Sequence, residues 1–138
     1  MPRATPSPRP EPGRHVLLVE DHPDGRESLR LLLSLLGHRV EVAADGAEGV
    51  RKALAIRPEV ALIDIGLPRL DGYQVARRVR AALGRRVALI AYTASDGDEV
   101  VARVREAGFD AHLVKPVEFR ALAPWLERGT AGEPIPGG

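Results

Sequence analysis

The sequence predicts a doubly wound α/β domain, a five-stranded parallel sheet with helices on both faces, and two observations carry that expectation. Five short apolar runs of strand length alternate with segments whose apolar residues recur at helical spacing. The middle run, "VALID" at 60–64, is hydrophobic until its last residue, which fits a strand covered on both faces. Parallel strands joined through helices require right-handed crossovers. Periodicity alone leaves an α+β arrangement open, and the chemistry of the strand ends favours the parallel sheet.

The elements run in order along the chain. "HVLLVE" at 15–20 is the first strand, and "DHPDG" after it reads as a polar turn. Leu29, Leu32, Leu33 and Leu36 then form a helical stripe that Gly37 ends. "HRVEVAA" at 38–44 is the second strand. Asp45 is placed to cap the next helix, with Glu48 at capping-box spacing, and Val50, Ala53 and Leu54 give its apolar side before Pro58. Beyond "VALID" and the turn "GLPRL", Asp71 and Gln74 repeat the capping-box spacing ahead of Val75, Val79 and Leu83, and Gly84 closes that helix. "RVALIAYT" supplies the fourth strand, Val100, Val101, Val104 and Ala107 the fourth helix up to Gly108, and "DAHLVK" the fifth strand. A last helix covers 118–128. Pro124 lies inside it and removes the donor for the Arg120 carbonyl, so a kink or a shortened helix is expected. Trp125 beside it reads as a core or helix-packing residue.

The first 13 residues, "MPRATPSPRPEPG", carry proline every two or three positions and read as a flexible extension. Residues 129–138 read as a flexible tail, which leaves 14–128 as the folded unit. The 138 residues suit one core. Twenty basic and 19 acidic side chains give a net charge of +1, which supplies no strong pull toward nucleic acid or an anionic membrane, so neither direct nucleic-acid binding nor membrane insertion is expected. The lack of cysteine excludes disulfides, a thiolate nucleophile and a thiolate metal cluster. No apolar segment has the length of a membrane span and the start lacks a secretion signal, so the cytoplasm is the default location.

In a sheet of this kind ligands bind outside the carboxyl ends of the strands. The first strand ends at Glu20 and Asp21, the third at Asp64, the fourth at Tyr92 and Thr93, and the fifth at Lys115, one of two lysines in the chain. Singly, each has an ordinary reading as a cap, a turn or a surface ion pair. Together they make a coherent site. Three neighbouring carboxylates repel one another, and a hard divalent cation relieves that repulsion; Mg²⁺ suits such oxygen ligands, and Mn²⁺ is possible. With Asp64 as nucleophile, the metal and Lys115 would neutralise a transferring phosphoryl group and Thr93 would donate a hydrogen bond to it. His22 reads as a loop residue and Tyr92 as a packing residue, both outside the catalytic set.

The pieces "VLLVEDHPD", "ALIDIGLPRLDGYQV", "AYTA" and "AHLVKP", in this order and spacing, resemble the receiver domain of bacterial two-component response regulators over residues 14–128. The resemblance implies a flavodoxin-like strand order 2-1-3-4-5. It implies Asp64 as phosphoacceptor, Glu20 and Asp21 as the acidic metal site, and the backbone carbonyl of Gly66 as a further metal ligand. It also implies Thr93 as the phosphate-sensing hydroxyl, Lys115 as the phosphate-contacting lysine and a cis Lys115–Pro116 bond. A histidine kinase or histidine phosphotransfer protein would donate the phosphoryl group, and a homodimer or a downstream effector would read it. The chain would be no conventional enzyme, although it would contribute to its own Mg-dependent phosphorylation and to hydrolysis of its aspartyl phosphate. No glycine-rich loop followed by Lys-Ser or Lys-Thr offers a triphosphate cradle.

His112 departs from the family pattern by standing where an aromatic switch residue is usual, and it reads as a hydrogen-bonded or solvent-facing histidine. The rival reading is a phosphorylation-independent interaction module with the same fold. A magnesium phosphatase would use related carboxylates but would need a second acid–base motif. No helix-turn-helix fits after residue 128, and both a stand-alone receiver and a piece of a hybrid histidine kinase or larger regulator stay open.

Overall fold

The computed structural model describes residues 13–95 and 97–128; the expectations for 1–12 and 129–138 lie outside the described residues. The elements are β1 (His15–Val19), α1 (Pro23–Leu35), β2 (Arg39–Ala43), α2 (Gly46–Ile56), β3 (Val60–Asp64), α3 (Gly72–Leu83), β4 (Ala88–Thr93), α4 (Asp98–Ala107), β5 (Ala111–Val114) and α5 (Phe119–Arg128). A short 3₁₀ turn, Gly84–Arg86, joins α3 to β4. All strand pairs are parallel and the order is β2-β1-β3-β4-β5, as expected.

Period-two alternation divides the strand side chains between two cores. Val16 and Leu18 of β1, Val60 and Leu62 of β3, and Ile90 of β4 pack with Leu33 of α1 and with Leu122, Trp125 and Leu126 of α5. Leu17, Val19, Ala61, Ile63 and Leu89 point the other way, onto Ala53 of α2, Val75 and Val79 of α3, and Val104 of α4. All five residues of β3 are buried because the strand is flanked by β1 and β4 and covered on both faces.

Capping agrees closely with the sequence. The Asp71 side chain accepts from Gln74 N at 2.9 Å and the Gln74 side chain accepts from Asp71 N at 3.0 Å, a complete capping box. Asp45 accepts from Glu48 N at 2.8 Å, but the Glu48 carboxylate reaches one residue further back, to Ala44 N.

Four expectations need correction. "DHPDG" is not a separate turn: α1 begins at Pro23, because a proline at the first helical position loses a donor that would be unpaired there anyway. The leucine stripe of α1 is only half covered, since Leu33 is buried and Leu29 packs against the core while Leu32 and Leu36 are exposed. Apart from β3, the strands are shorter than the apolar runs, with Arg86 given to the 3₁₀ turn and Asp110 and Lys115 flanking β5. Pro124 does not shorten α5, which runs to Arg128; burial of Leu122, Trp125 and Leu126 around it outweighs one lost hydrogen bond. Trp125 is a core residue, as read from the sequence.

Arg14 closes the fold at the amino edge of the sheet. Its guanidinium donates to the carbonyls of Leu126 at 2.9 Å and Glu127 at 2.6 Å and lies 3.4 Å from the Glu59 carboxylate.

Gly72 sets the height of α3 under the tip of β3. Its N–H donates to Ile65 O at 3.2 Å, and a Cβ there would stand 2.5 Å from the Asp64 carbonyl oxygen and 2.7 Å from Ile65 Cα. Both obstacles are backbone, so neither gives way as a side chain would. Gly72→Ala is expected to destabilise the domain by about 1–3 kcal/mol, read as a lower urea midpoint at unchanged slope.

Candidate functional site

The alternation that builds the α1/α5 core continues one step past it. Val16 and Leu18 lead to Glu20, Val60 and Leu62 to Asp64, Ala88 and Ile90 to Tyr92, and Ala111 and Leu113 to Lys115. Four strands thus deliver three charged groups and a phenol to one edge, and Asp64 and Tyr92 are direct register partners. Glu20 stands just beyond β1, its N–H still paired with Ala43 O at 3.0 Å, and Lys115 N donates to Thr93 O at 2.8 Å.

Among the described residues the buried charged side chains are Glu20 and Asp64, 3% and 6% exposed. Asp64 Oδ1 accepts from Gly66 N at 3.0 Å and its Oδ2 lies 3.2 Å from Lys115 Nζ. Glu20 Oε2 accepts from His22 N at 2.9 Å, and its Oε1 accepts from the Tyr92 hydroxyl at 2.6 Å and lies 3.5 Å from Lys115 Nζ. The ammonium also sits 4.9 Å above the centre of the Tyr92 ring. Arg26 donates to the Glu20 carbonyl at 2.9 Å, which ties the turn after β1 to α1. One oxygen from each of Glu20, Asp21 and Asp64 falls within 4.8 Å of the others, with Asp21 exposed at the mouth.

The two buried acids are driven apart. Burial raises the Asp64 carboxyl above its usual range, and the Glu20 charge adds to this; the Gly66 N–H and Lys115 offset only part. Burial also acts on Glu20, but there the Tyr92 hydroxyl, the His22 N–H and Lys115 prevail and hold the carboxyl below its usual range. The Tyr92 phenol is pushed far up by burial and by its bond to Glu20, so it stays a neutral donor.

Glu20, Asp21, Asp64, Gly66 and Lys115 are therefore brought together. Thr93 is half-buried at the tip of β4 on the opposite parity, its hydroxyl accepting from Ser95 N at 3.4 Å. Pro116 comes after a cis bond directly beyond Lys115. His112 lies away from this edge, paired in register with Ala91. It is half-buried, and its Nε2 is shielded without a hydrogen-bond partner among the described residues, contrary to the expected satisfied or solvated ring. Such a nitrogen costs about 1–3 kcal/mol; the register partner of His112 on β4, Ala91, has no polar side chain to offer it. Tyr92 and the His22 backbone were not among the candidates read from the sequence, although both hold Glu20. The period-two extension of "ALIAYT" toward the edge was the available signal for Tyr92.

A groove of about 600 Å³ opens beside this edge, with Leu29 and Leu32 of α1 on one wall, Val117 on the other and Glu20, Tyr92 and Lys115 along it. The donor set at its end is entirely hard oxygen, so the acidic cluster could hold a divalent cation.

Three comparisons bear on this arrangement. The family model described as response regulator receiver domain matches residues 16–127. The transcriptional regulatory protein AfsQ1 of Streptomyces coelicolor is 38% identical over 107 residues, covering 78% of this chain and 47% of that protein. The virulence sensor protein BvgS of Bordetella bronchiseptica is 40% identical over 144 residues, covering 97% of this chain and 11% of that protein. The chain thus spans less than half of one relative and about a tenth of the other. Among solved structures, the receiver domain of the sensor histidine kinase PA1611 of Pseudomonas aeruginosa, with a magnesium ion coordinated in its active-site cleft, superposes with a TM-score of 0.77 at 39% identity over 86% of this chain and 98% of that one. Among the described residues no helix is long and apolar enough to cross a membrane.

The elevated Asp64 carboxyl has a measurable sign. A group whose folded-state pKa lies above its unfolded value weakens the fold as pH rises through that window, since the folded state then binds more protons than the unfolded one. Asp64→Asn removes this penalty. In chelator, the Asn variant is expected to melt higher than wild type at neutral pH, and the gain is expected to vanish as pH falls through the elevated Asp64 value; thermal melts across acid and neutral pH check it. Glu20, with a lowered pKa, works the other way, its contribution being lost as pH falls.

Proposed function

Since the chain belongs to the response regulator receiver domain family, we propose that it accepts a phosphoryl group on Asp64 and passes the occupancy of that site to partners through Thr93. One observation carries the reading: a buried carboxylate at a strand tip has one oxygen on a backbone N–H at 3.0 Å, the other on an ammonium at 3.2 Å, and two more carboxylates alongside.

The donor is a phosphohistidine on a histidine kinase or histidine phosphotransfer protein. An Asp64 oxygen attacks phosphorus, the new P–O bond forms as the P–N bond breaks, and the imidazole nitrogen leaves with the electron pair and takes a proton from water. Lys115, already at Oδ2, pairs with the charge gathering on the phosphoryl oxygens. Thr93, next to the register partner of Asp64, donates its hydroxyl to the phosphoryl group, and its present bond with Ser95 N links that movement to the loop before α4. In hydrolysis water attacks phosphorus, the bond to Asp64 breaks, inorganic phosphate leaves and the carboxylate is returned.

Glu20, Asp21, Asp64 and the Gly66 carbonyl would hold Mg²⁺, with Mn²⁺ as a substitute. The donor set fits a hard cation, since the three carboxylates offer only oxygen ligands and one oxygen of each lies within 4.8 Å of the others. When bound, the cation supplies positive charge against the crowded carboxylates and the phosphoryl oxygens. The magnesium-bearing neighbour supports this reading. The phosphorylated form is read by a downstream effector or a second copy of the chain, in the cytoplasm.

Incubation with a small phosphodonor and Mg²⁺ is expected to add one hydroxylamine-sensitive phosphoryl group to wild type and none to Asp64→Asn, by intact mass. Lys115→Ala is expected to slow the reaction about 10²-fold. A wild type that takes up no phosphoryl group from any of several donors overturns the reading.

A further inference from the structure

The transfer scheme leaves Tyr92 without a role, yet this side chain has more contacts with the acidic edge than packing requires. It is 3% exposed, its ring belongs to the α1/α5 core, and its hydroxyl reaches Glu20 Oε1 at 2.6 Å. A phenylalanine would fill the same space. The added oxygen acts on one atom of one carboxylate.

Glutamate carries one more rotatable bond than aspartate, so a glutamate in a cation site must be held if it is to keep one orientation. The His22 N–H at 2.9 Å fixes only Oε2. At Oε1 the Lys115 ammonium stands 3.5 Å away, an ion pair too long to fix a direction, whereas the Tyr92 hydroxyl at 2.6 Å pins that oxygen. It also takes up a lone pair of Oε1. That leaves Lys115 Nζ nearer Asp64, 3.2 Å, than Glu20, 3.5 Å, while the ring lies 4.9 Å below the ammonium.

We propose that Tyr92 is a positioning residue of the cation site, its hydroxyl orienting the Glu20 carboxylate for metal binding. The inference rests on the reading of Glu20, Asp21 and Asp64 as that site. Groups that orient metal ligands from behind are worth roughly 10–100-fold in metal affinity, and this hydroxyl is placed to act in that way.

A double-mutant cycle read by isothermal titration calorimetry of MgCl₂ into the full chain tests it. Tyr92→Phe is expected to bind Mg²⁺ about 10-fold more weakly than wild type. Glu20→Asp withdraws the carboxylate by one methylene from the hydroxyl, so adding Tyr92→Phe in that background is expected to change affinity by less than about twofold. Melts in chelator establish that each variant is folded. Should the Phe variant not fold, Tyr92→Leu, also without a donor, carries the same expectation. Wild-type affinity in the donor-less variant, or an equal loss in both backgrounds, overturns the role of Tyr92. A wild type that binds no Mg²⁺ at millimolar concentration overturns the cation-site reading instead, and the inference with it.

Discussion

The Lys115 ammonium, shared between Asp64 and Glu20, is the interaction on which this edge of the molecule depends. Two carboxylates as deeply buried as these would each cost several kcal/mol if left unpaired. A single cation at 3.2 and 3.5 Å serves both, and backbone donors at Gly66 and His22 take the remaining oxygens. The cation hangs from the end of β5, a four-residue edge strand whose register is fixed to β4 by Thr93 and Val114. A peripheral element therefore neutralises the centre. With Asp21 added, three negative groups face one positive group, and the surplus is what makes the edge receptive to a further cation.

The site and the core come from the same rule. Residues two apart on a strand share a face, so the layer packed against α1 and α5 becomes, one step further along each strand, a row of polar groups. The chain needs no special loop to gather them. Precision comes from what lies behind: Gly72 lets the α3 backbone approach the Asp64 carbonyl to a distance no side chain allows, and Tyr92 has its ring in the hydrocarbon layer and its hydroxyl on the acid.

Much of this was legible in the residues. "VALID" coincides with β3 to the residue, the Asp71–Gln74 pair forms the cap its spacing announces, and Glu20, Asp21, Asp64 and Lys115 converge as their strand-end positions suggest. The features that escaped were tertiary. Pro23 looked like turn chemistry because a proline opens a helix or a turn with the same local signature, and Pro124 looked able to shorten its helix because the burial of Leu122 and Trp125 around it is invisible along the chain. The leucines of α1 have helical spacing whether or not anything covers them. Tyr92 and Glu20 are 72 positions apart, and no local pattern announces a hydrogen bond over that separation.

Arg14 ties the segment just before β1 to the last turn of α5, so the two ends of the described unit meet at one doorway. That doorway lies at the amino ends of the strands, across the sheet from the acidic edge. A unit built this way suits a cassette: its two ends need not be pried apart to join it to another segment, and the acidic edge lies on the far side of the sheet.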